Sequence, residues 1–259
     1  MKYLFALILI TNFGFAQTGI INYGEVQSMG MGSPVGPDYN SILIFNQDFS
    51  LYITRQDSIE GGHRNERYSA GNSENQFLTH LITNEEGFRY ENNLNKKYFR
   101  SRDVGFNYVH QDTPKIDWEI TNDFKDIGGY TCVKAITNFI GRKYTAWFTM
   151  EIPLPYGPWK LQGLPGMILE AYDTNKEIYW YFKAIKYPSK KDYLLKPIKS
   201  KNDKWISYEK YSEKLIYAFE KSIIAGRMVS ESAGIQNFSH KNNSMSRQYI
   251  EVFDEKLKN

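Results

Sequence analysis

A single cysteine, Cys132, stands in 259 residues, so the chain can form no internal disulfide and no cluster of thiolate metal ligands. Its four histidines, His63, His80, His110 and His240, lack the paired spacing of a metal site. There is no Gly-x-Ser-x-Gly elbow, His-Glu-x-x-His helix, phosphate loop or dinucleotide fingerprint, which removes the local signatures of many hydrolases, metalloproteases and nucleotide enzymes. Neither sign of charge dominates: Lys plus Arg number 32 and Asp plus Glu 29. No repeat of fixed period occurs, which argues against a solenoid or propeller.

The one sustained apolar run lies at the start. Lys2 precedes an apolar block from Tyr3 to Ile10 that relaxes through Thr11 and Asn12 into Gly14, Phe15 and Ala16. This pattern predicts a cleavable signal peptide over residues 1–16, and the block is shorter than the roughly 20 residues that span a bilayer. No cysteine lies near the processing region to carry a lipid. The expected product is periplasmic or secreted, with no transmembrane segment after processing. It divides into one β-rich domain over 17–225 and a polar C-terminal tail over 226–259, loose except where Tyr249 to Phe253 form a late strand or a docking segment.

What is present in quantity is aromatic: 20 Tyr and 16 Phe suit a pleated, half-buried surface. Short alternating runs predict strands from Gly19 to Val26, Ser41 to Phe45 and Phe49 to Thr54, with a turn at Asn46 to Asp48. Gln56 to Glu74 is polar and glycine-punctuated and reads as a mobile surface insertion. Asn84 to Gly87 reads as a turn between the runs Phe77 to Ile82 and Phe88 to Tyr90. Further strands are expected from Lys97 to Asp103, Gly105 to His110, Thr131 to Phe139, Lys143 to Thr149, Met167 to Tyr172 and Glu177 to Tyr187. Ile116, Trp118 and Ile120 share one face of another. Tyr208, Tyr211, Leu215, Ala218, Phe219 and Ser222 recur at helical steps, predicting a helix over 207–225 with Ser207 as its N-cap and Gly226 as its end. The expected fold is mainly β (α+β), a curved antiparallel meander forming an open barrel or half-barrel with that amphipathic helix packed on it; a β-sandwich is the alternative.

The most informative stretch is Lys143 to Glu170. Pro153, Pro155 and Pro158 cannot donate to a sheet ladder, so this segment is expected at an edge or across an end of the sheet, with Tyr156 and Trp159 folding onto an open apolar face. Gly163, Leu164, Pro165 and Gly166 suit a type II turn in which Gly166 takes the positive φ.

These residues resemble the GLPGLI family of exported bacterial proteins. The likeness includes Ile116 and Trp118, Gly129 and Tyr130, Cys132, Gly141 and Arg142, Ala146 and Trp147, the triplet Glu151, Ile152 and Pro153, Gly157, Pro158, Lys160, and Gly163 to Gly166. Met167 stands where the family name has Leu. The resemblance implies an exported location and, for some members, association with outer-membrane transport systems. It implies no biochemical activity, and no catalytic residue is carried over.

Trp147, Tyr156 and Trp159 are the candidates for ligand or partner contact, since aromatics on an incompletely closed sheet can line an apolar cleft. Glu151 and Glu170 are available as a carboxylate pair, but a structural ion pair such as Arg142 with Glu151 is the preferred reading. Between Lys183 and Lys204, eight lysines face two aspartates, a solvated edge or a surface for an anionic lipid or acidic partner. Asp57, Ser58 and Ile59 match a short periplasmic O-glycosylation pattern, with Ser58 as acceptor. Nucleic acid is not an expected partner, and no cofactor or metal is expected. The function expected is a non-catalytic binding or accessory protein of the cell envelope, linked to outer-membrane nutrient or metal uptake; a structural interaction protein is the alternative, and an enzyme comes third.

Overall fold

A computed structural model describes residues 18–71, 76–189, 195–232 and 244–253; the expected signal peptide, Lys190, Lys191, Asp192 and His240 lie outside the described residues. The first half of the chain forms strands β1 (Thr18–Gln27), β2 (Asp38–Phe45), β3 (Phe49–Thr54), β4 (Asn65–Gly71), β5 (Gln76–Ile82), β6 (Phe88–Asn93), β7 (Tyr98–Arg102) and β8 (Tyr108–Asp112), with the short helix α1 (Asp57–Glu60) after β3. The second half forms β9 (Glu119–Ile127), β10 (Tyr130–Phe139), β11 (Arg142–Thr149), β12 (Met167–Asp173), β13 (Ile178–Ser189), β14 (Ile206–Ser207) and the long helix α2 (Tyr208–Ser232).

Twelve strands make one sheet in the order β14-β8-β7-β6-β3-β2-β1-β13-β12-β11-β10-β9. Two meanders meet where β1 pairs antiparallel with β13, so Gly24 lies opposite Tyr181 and Glu25 opposite Trp180. Only β14 on β8 is parallel among the described pairs. The sheet does not close, yet Phe99 on β7 and Phe139 on β10 belong to one core cluster, because the sheet curves around a shared interior. This is the mainly β, open architecture that the alternating runs predict. The opposite face of β2 and β3 has its own cover. Ile44, Leu51 and Ile53 pack beneath Ile198, with Leu195 and Trp205 beside it. Ile198 anchors this cover by donating its backbone N–H to the buried Glu91 at 2.5 Å, so the lysine-rich stretch carries an apolar underside.

Helix α2 buries Tyr211, Leu215 and Phe219, the expected face, against Val109 and Met245. Ser207 Oγ accepts the Lys210 N–H at 3.2 Å, as an N-cap does. Several features differ from expectation. Ile116 and Trp118 precede β9 and do not share a strand with Ile120. The helix passes through Gly226 to Ser232; a glycine inside a helix costs only about 1 kcal/mol relative to alanine. Gln56 to Gly71, the described part of the expected insertion, is not featureless. It forms α1 and then β4, held by polar contacts that leave no apolar period: Thr83 Oγ1 donates to Asp57 at 2.5 Å, and Arg64 pairs with Glu60 at 3.0 Å. The turn at Asn84 to Gly87 joins no hairpin, since β5 pairs with β4 and β6 with β3. Finally, the docked segment starts earlier than Tyr249: residues 244–253 pack on the domain with Met245 and Glu251 buried, so Tyr249 to Phe253 take the docking form of the two expected and residues 244–248 join them.

Candidate functional site

Within the curve of the sheet lies a cavity of about 590 Å³, a size common for small-molecule sites. Its walls come from distant parts of the chain: Gln27 ends β1, Tyr39 is on β2, Arg55 follows β3, and Phe88 and Tyr90 are on β6. Asp103 follows β7, Trp159 comes from the proline-rich crossing, Tyr211 and Leu215 from α2, and Gln248 to Glu251 from the docked C-terminal segment. Arg55 and Trp159 both hold positive φ, +55° and +54°, a conformation that non-glycine residues adopt only when their surroundings impose it.

Charge is concentrated on one wall. Lys160, fully enclosed, donates to Glu251, whose second oxygen accepts from Tyr208 at 2.7 Å. The Lys160 ammonium also lies 4.8 Å from the Tyr208 ring and 5.5 Å from the Tyr211 ring. Next to this pair sits Asp103, 1% exposed, with an Oδ1 that accepts no hydrogen bond among the described residues. Burial pushes the Asp103 carboxyl up to about 7, against the pull of Lys160. Burial likewise raises Tyr90, Tyr208 and Tyr211, which keeps their hydroxyls protonated.

A second polar group surrounds Glu25. It accepts from Tyr52 at 2.5 Å, from Trp180 Nε1 at 3.1 Å and from Gln27 Nε2 at 2.5 Å. Gln27 in turn accepts from Arg55. The Arg55 guanidinium lies 4.6 Å over the Tyr39 ring and 4.7 Å over the Phe88 ring, and its Nε is buried with no protein acceptor among the described residues.

A family model described as "Protein of unknown function (Porph_ging)" matches residues 140–170. No curated protein matches the chain. Among solved structures, it is similar to PNGF-II in space group P21 at 16% identity and a TM-score of 0.49, over 76% of this chain and 33% of that one. PNGF-II in space group C2 gives 15% identity and a TM-score of 0.48, over 76% and 32%. The chain thus spans about a third of the length of the solved chains it matches.

Of the three aromatic candidates, only Trp159 reaches the large cavity, stacked on Trp180 at 5.7 Å and 13°. Tyr156 is sealed in the core beside Phe45, its hydroxyl donating to the Gln47 carbonyl at 3.3 Å. Trp147 lies elsewhere, with Lys125 Nζ 4.4 Å above its ring. The proline-rich crossing turns inward: Ile152, Gly157, Pro158, Leu161 and Leu164 are buried, while Glu151, Pro153 and Pro165 remain exposed. Gly163, not Gly166, takes the positive φ, at +92°. Gly166 serves close approach instead, since a Cβ there would sit 2.1 Å from the Thr149 carbonyl oxygen.

Arg142 does not pair with Glu151. Arg142 opens an eight-residue strand roughly 25 Å long and Glu151 lies just past its far end, too far for contact. Arg142 instead binds Asp173 at 2.9 Å, and Glu151 accepts the Thr131 N–H at 3.0 Å. Glu170 pairs with Lys125 at 2.7 Å, so the two glutamates form no carboxylate pair. Cys132 is fully buried, and burial pushes its thiol up to about 12, leaving it protonated. Ser58 is exposed on α1. Among the described residues, no group of three or more His, Cys, Asp or Glu side chains is placed to hold a metal ion. No described helix is long and apolar enough to cross a membrane.

Asp103, Arg55 and Glu251 were not singled out from the sequence. Each is an isolated charge at a strand end or in a polar segment, and only the sheet order assembles them.

Proposed function

We propose that this protein is a non-catalytic binding protein of the bacterial envelope that holds a small ligand inside its open sheet. The observation that carries this reading is the cavity of about 590 Å³, bordered by Asp103, a buried carboxyl whose Oδ1 accepts no hydrogen bond among the described residues. Leaving a buried polar atom without a hydrogen bond is costly, and a ligand that supplies the donor removes that cost. The pattern of residues 1–16 supports a periplasmic or secreted location. The resemblance over 116–170, a stretch that contains the matched residues 140–170, supports membership of the GLPGLI family and a link to outer-membrane uptake. Within Lys183 to Lys204 the described lysines 183, 186, 196, 199, 201 and 204 are exposed, which supports a face for an anionic surface, and exposed Ser58 supports a point of glycosylation.

Trp159 makes the reading testable. Mature chain is titrated with short peptides, sugars, lipids, haem and divalent metals while tryptophan fluorescence and melting temperature are followed. One class is expected to quench or shift the emission and to raise the melting temperature. Silence across the whole panel removes the binding reading.

A second reading, a structural protein that engages a partner chain, draws support from β9. This edge strand exposes Ile120 at 50% and Phe124 at 63%, an apolar strip beside unpaired backbone groups. Capture of an envelope protein that is lost on Phe124→Lys, with no small-molecule response, favours it.

A further inference from the structure

We infer that the ligand carries both an ammonium and a carboxylate, and that the cavity is a site for a free amino acid or short peptide. The inference rests on the cavity being a ligand site and names what it recognises. Two opposite charges line one space without pairing to each other. Arg89 on β6 pairs with Arg102 on β7, and Phe88 and Asp103 are the next residues beyond that pair on the two segments. The Arg55 guanidinium lies over the Phe88 ring at 4.7 Å. No ion pair joins Arg55 to Asp103 among the described residues, although both border the same cavity.

Each of the two has an atom left over. Asp103 Oδ1 lacks a donor, and Arg55 Nε lacks an acceptor. The cation acting on Asp103 is Lys160, and Lys160 already serves Glu251. A neutral hydroxyl offers Oδ1 a donor alone; an ammonium offers a donor and an opposite charge, which favours the ionised carboxyl. Tyr90, Tyr211 and Trp159 line the same space. At Arg55 the position is different: the guanidinium is linked through Gln27 to Glu25, and its buried Nε–H is left without an acceptor among the described residues. A carboxylate or peptide carbonyl oxygen meets it. The ligand is therefore anchored chiefly through its amine and oriented through its carboxylate.

Calorimetry on mature chain, with glycyl-phenylalanine, its N-acetyl form, its C-terminal amide and glucose as probes, tests this. The free dipeptide is expected to bind, with a loss of tenfold or more on N-acetylation and a smaller loss on amidation. Asp103→Asn keeps the side-chain shape and removes a buried charge, so it folds; it is expected to abolish the preference for the free amine. Arg55→Gln is expected to abolish the preference for the free carboxylate and to leave the amine preference in place. Equal affinity for free and N-acetylated dipeptide, or an amine preference that survives Asp103→Asn, overturns the inference. Binding of glucose or another neutral probe without the dipeptide overturns it while leaving the cavity a ligand site. No response to any probe removes both.

Discussion

Lys160 gives its ammonium to Glu251, 91 positions later in the chain, and so ties the proline-rich crossing to the C-terminal segment across the mouth of the core. Removing one partner of such a buried pair leaves the other charge without compensation, which typically costs 3–5 kcal/mol. Lys160→Met is expected to lose about that much in urea denaturation, because it strands both Glu251 and Asp103. Adding Glu251→Gln, which still accepts from Tyr208, is expected to restore part of the loss. A double variant no more stable than Lys160→Met shows that the pair is not the source of the cost.

The carboxyl of Asp103 gives stability a pH dependence of definite sign. Its folded value, about 7, lies above the ordinary 3.8, so the native chain binds the proton more tightly than the unfolded chain. Between about 4 and about 7, rising pH therefore favours unfolding, and above that window this contribution is constant. Asp173, raised in the same direction by burial, adds to the slope. The groups packed around Asp103 are Lys160, Glu251, Tyr90 and Tyr211. Asp103→Asn is expected to flatten the melting-temperature profile across this window without abolishing it. A slope identical to that of the unaltered chain rejects the role given to Asp103.

How much of this was legible beforehand depends on how far apart the interacting residues are. Ser41 to Phe45 and Phe49 to Thr54 read as strands because successive side chains face different cores, Leu43 and Tyr52 inward and Ile44 and Leu51 outward. The face of α2 read equally well, since Tyr211, Leu215 and Phe219 repeat at helical steps. The docked segment 244–253 read only in part, as an apolar run from Tyr249 to Phe253, because its anchors Arg142 and Lys160 are about a hundred residues away and carry no local pattern. At the site, Trp159 was visible as an aromatic in a segment that cannot join a ladder. Asp103 and Arg55 were invisible for the opposite reason: each follows a strand end, and β6 must lie between those strands before they face one space.

Arg142 is the other anchor of the C-terminal segment. Its guanidinium binds Asp173 at 2.9 Å and donates to the carbonyls of Ser246, Tyr249 and Ile250. A lysine has the charge but not the planar fork, so it cannot hold an acid and three carbonyls at once. Arg142→Lys is expected to cost about 2–4 kcal/mol. It is also expected to speed hydrogen exchange at the Val252 amide, which donates to the Ile140 carbonyl at 3.2 Å, with β10 and β11 little changed. Uniform acceleration across the sheet counts against a local anchoring role.

The two glycines of the turn before β12 separate two physical causes that the sequence motif merges. Gly163 is at φ +92° with nothing within 4 Å of a built Cβ, so Gly163→Ala meets only backbone strain, about 1–2 kcal/mol. Gly166 has an ordinary φ, but its Cβ falls 2.1 Å from the Thr149 carbonyl oxygen and 2.7 Å from its carbon. Neither atom is the end of a flexible side chain, so β11 and β12 have to part. Gly166→Ala is expected to cost about 3 kcal/mol or more, the range in which overpacking against backbone falls. Chemical denaturation of the two variants orders them. A larger loss for Gly163→Ala puts the constraint in the turn's conformation, while the expected order puts it in the contact between neighbouring strands.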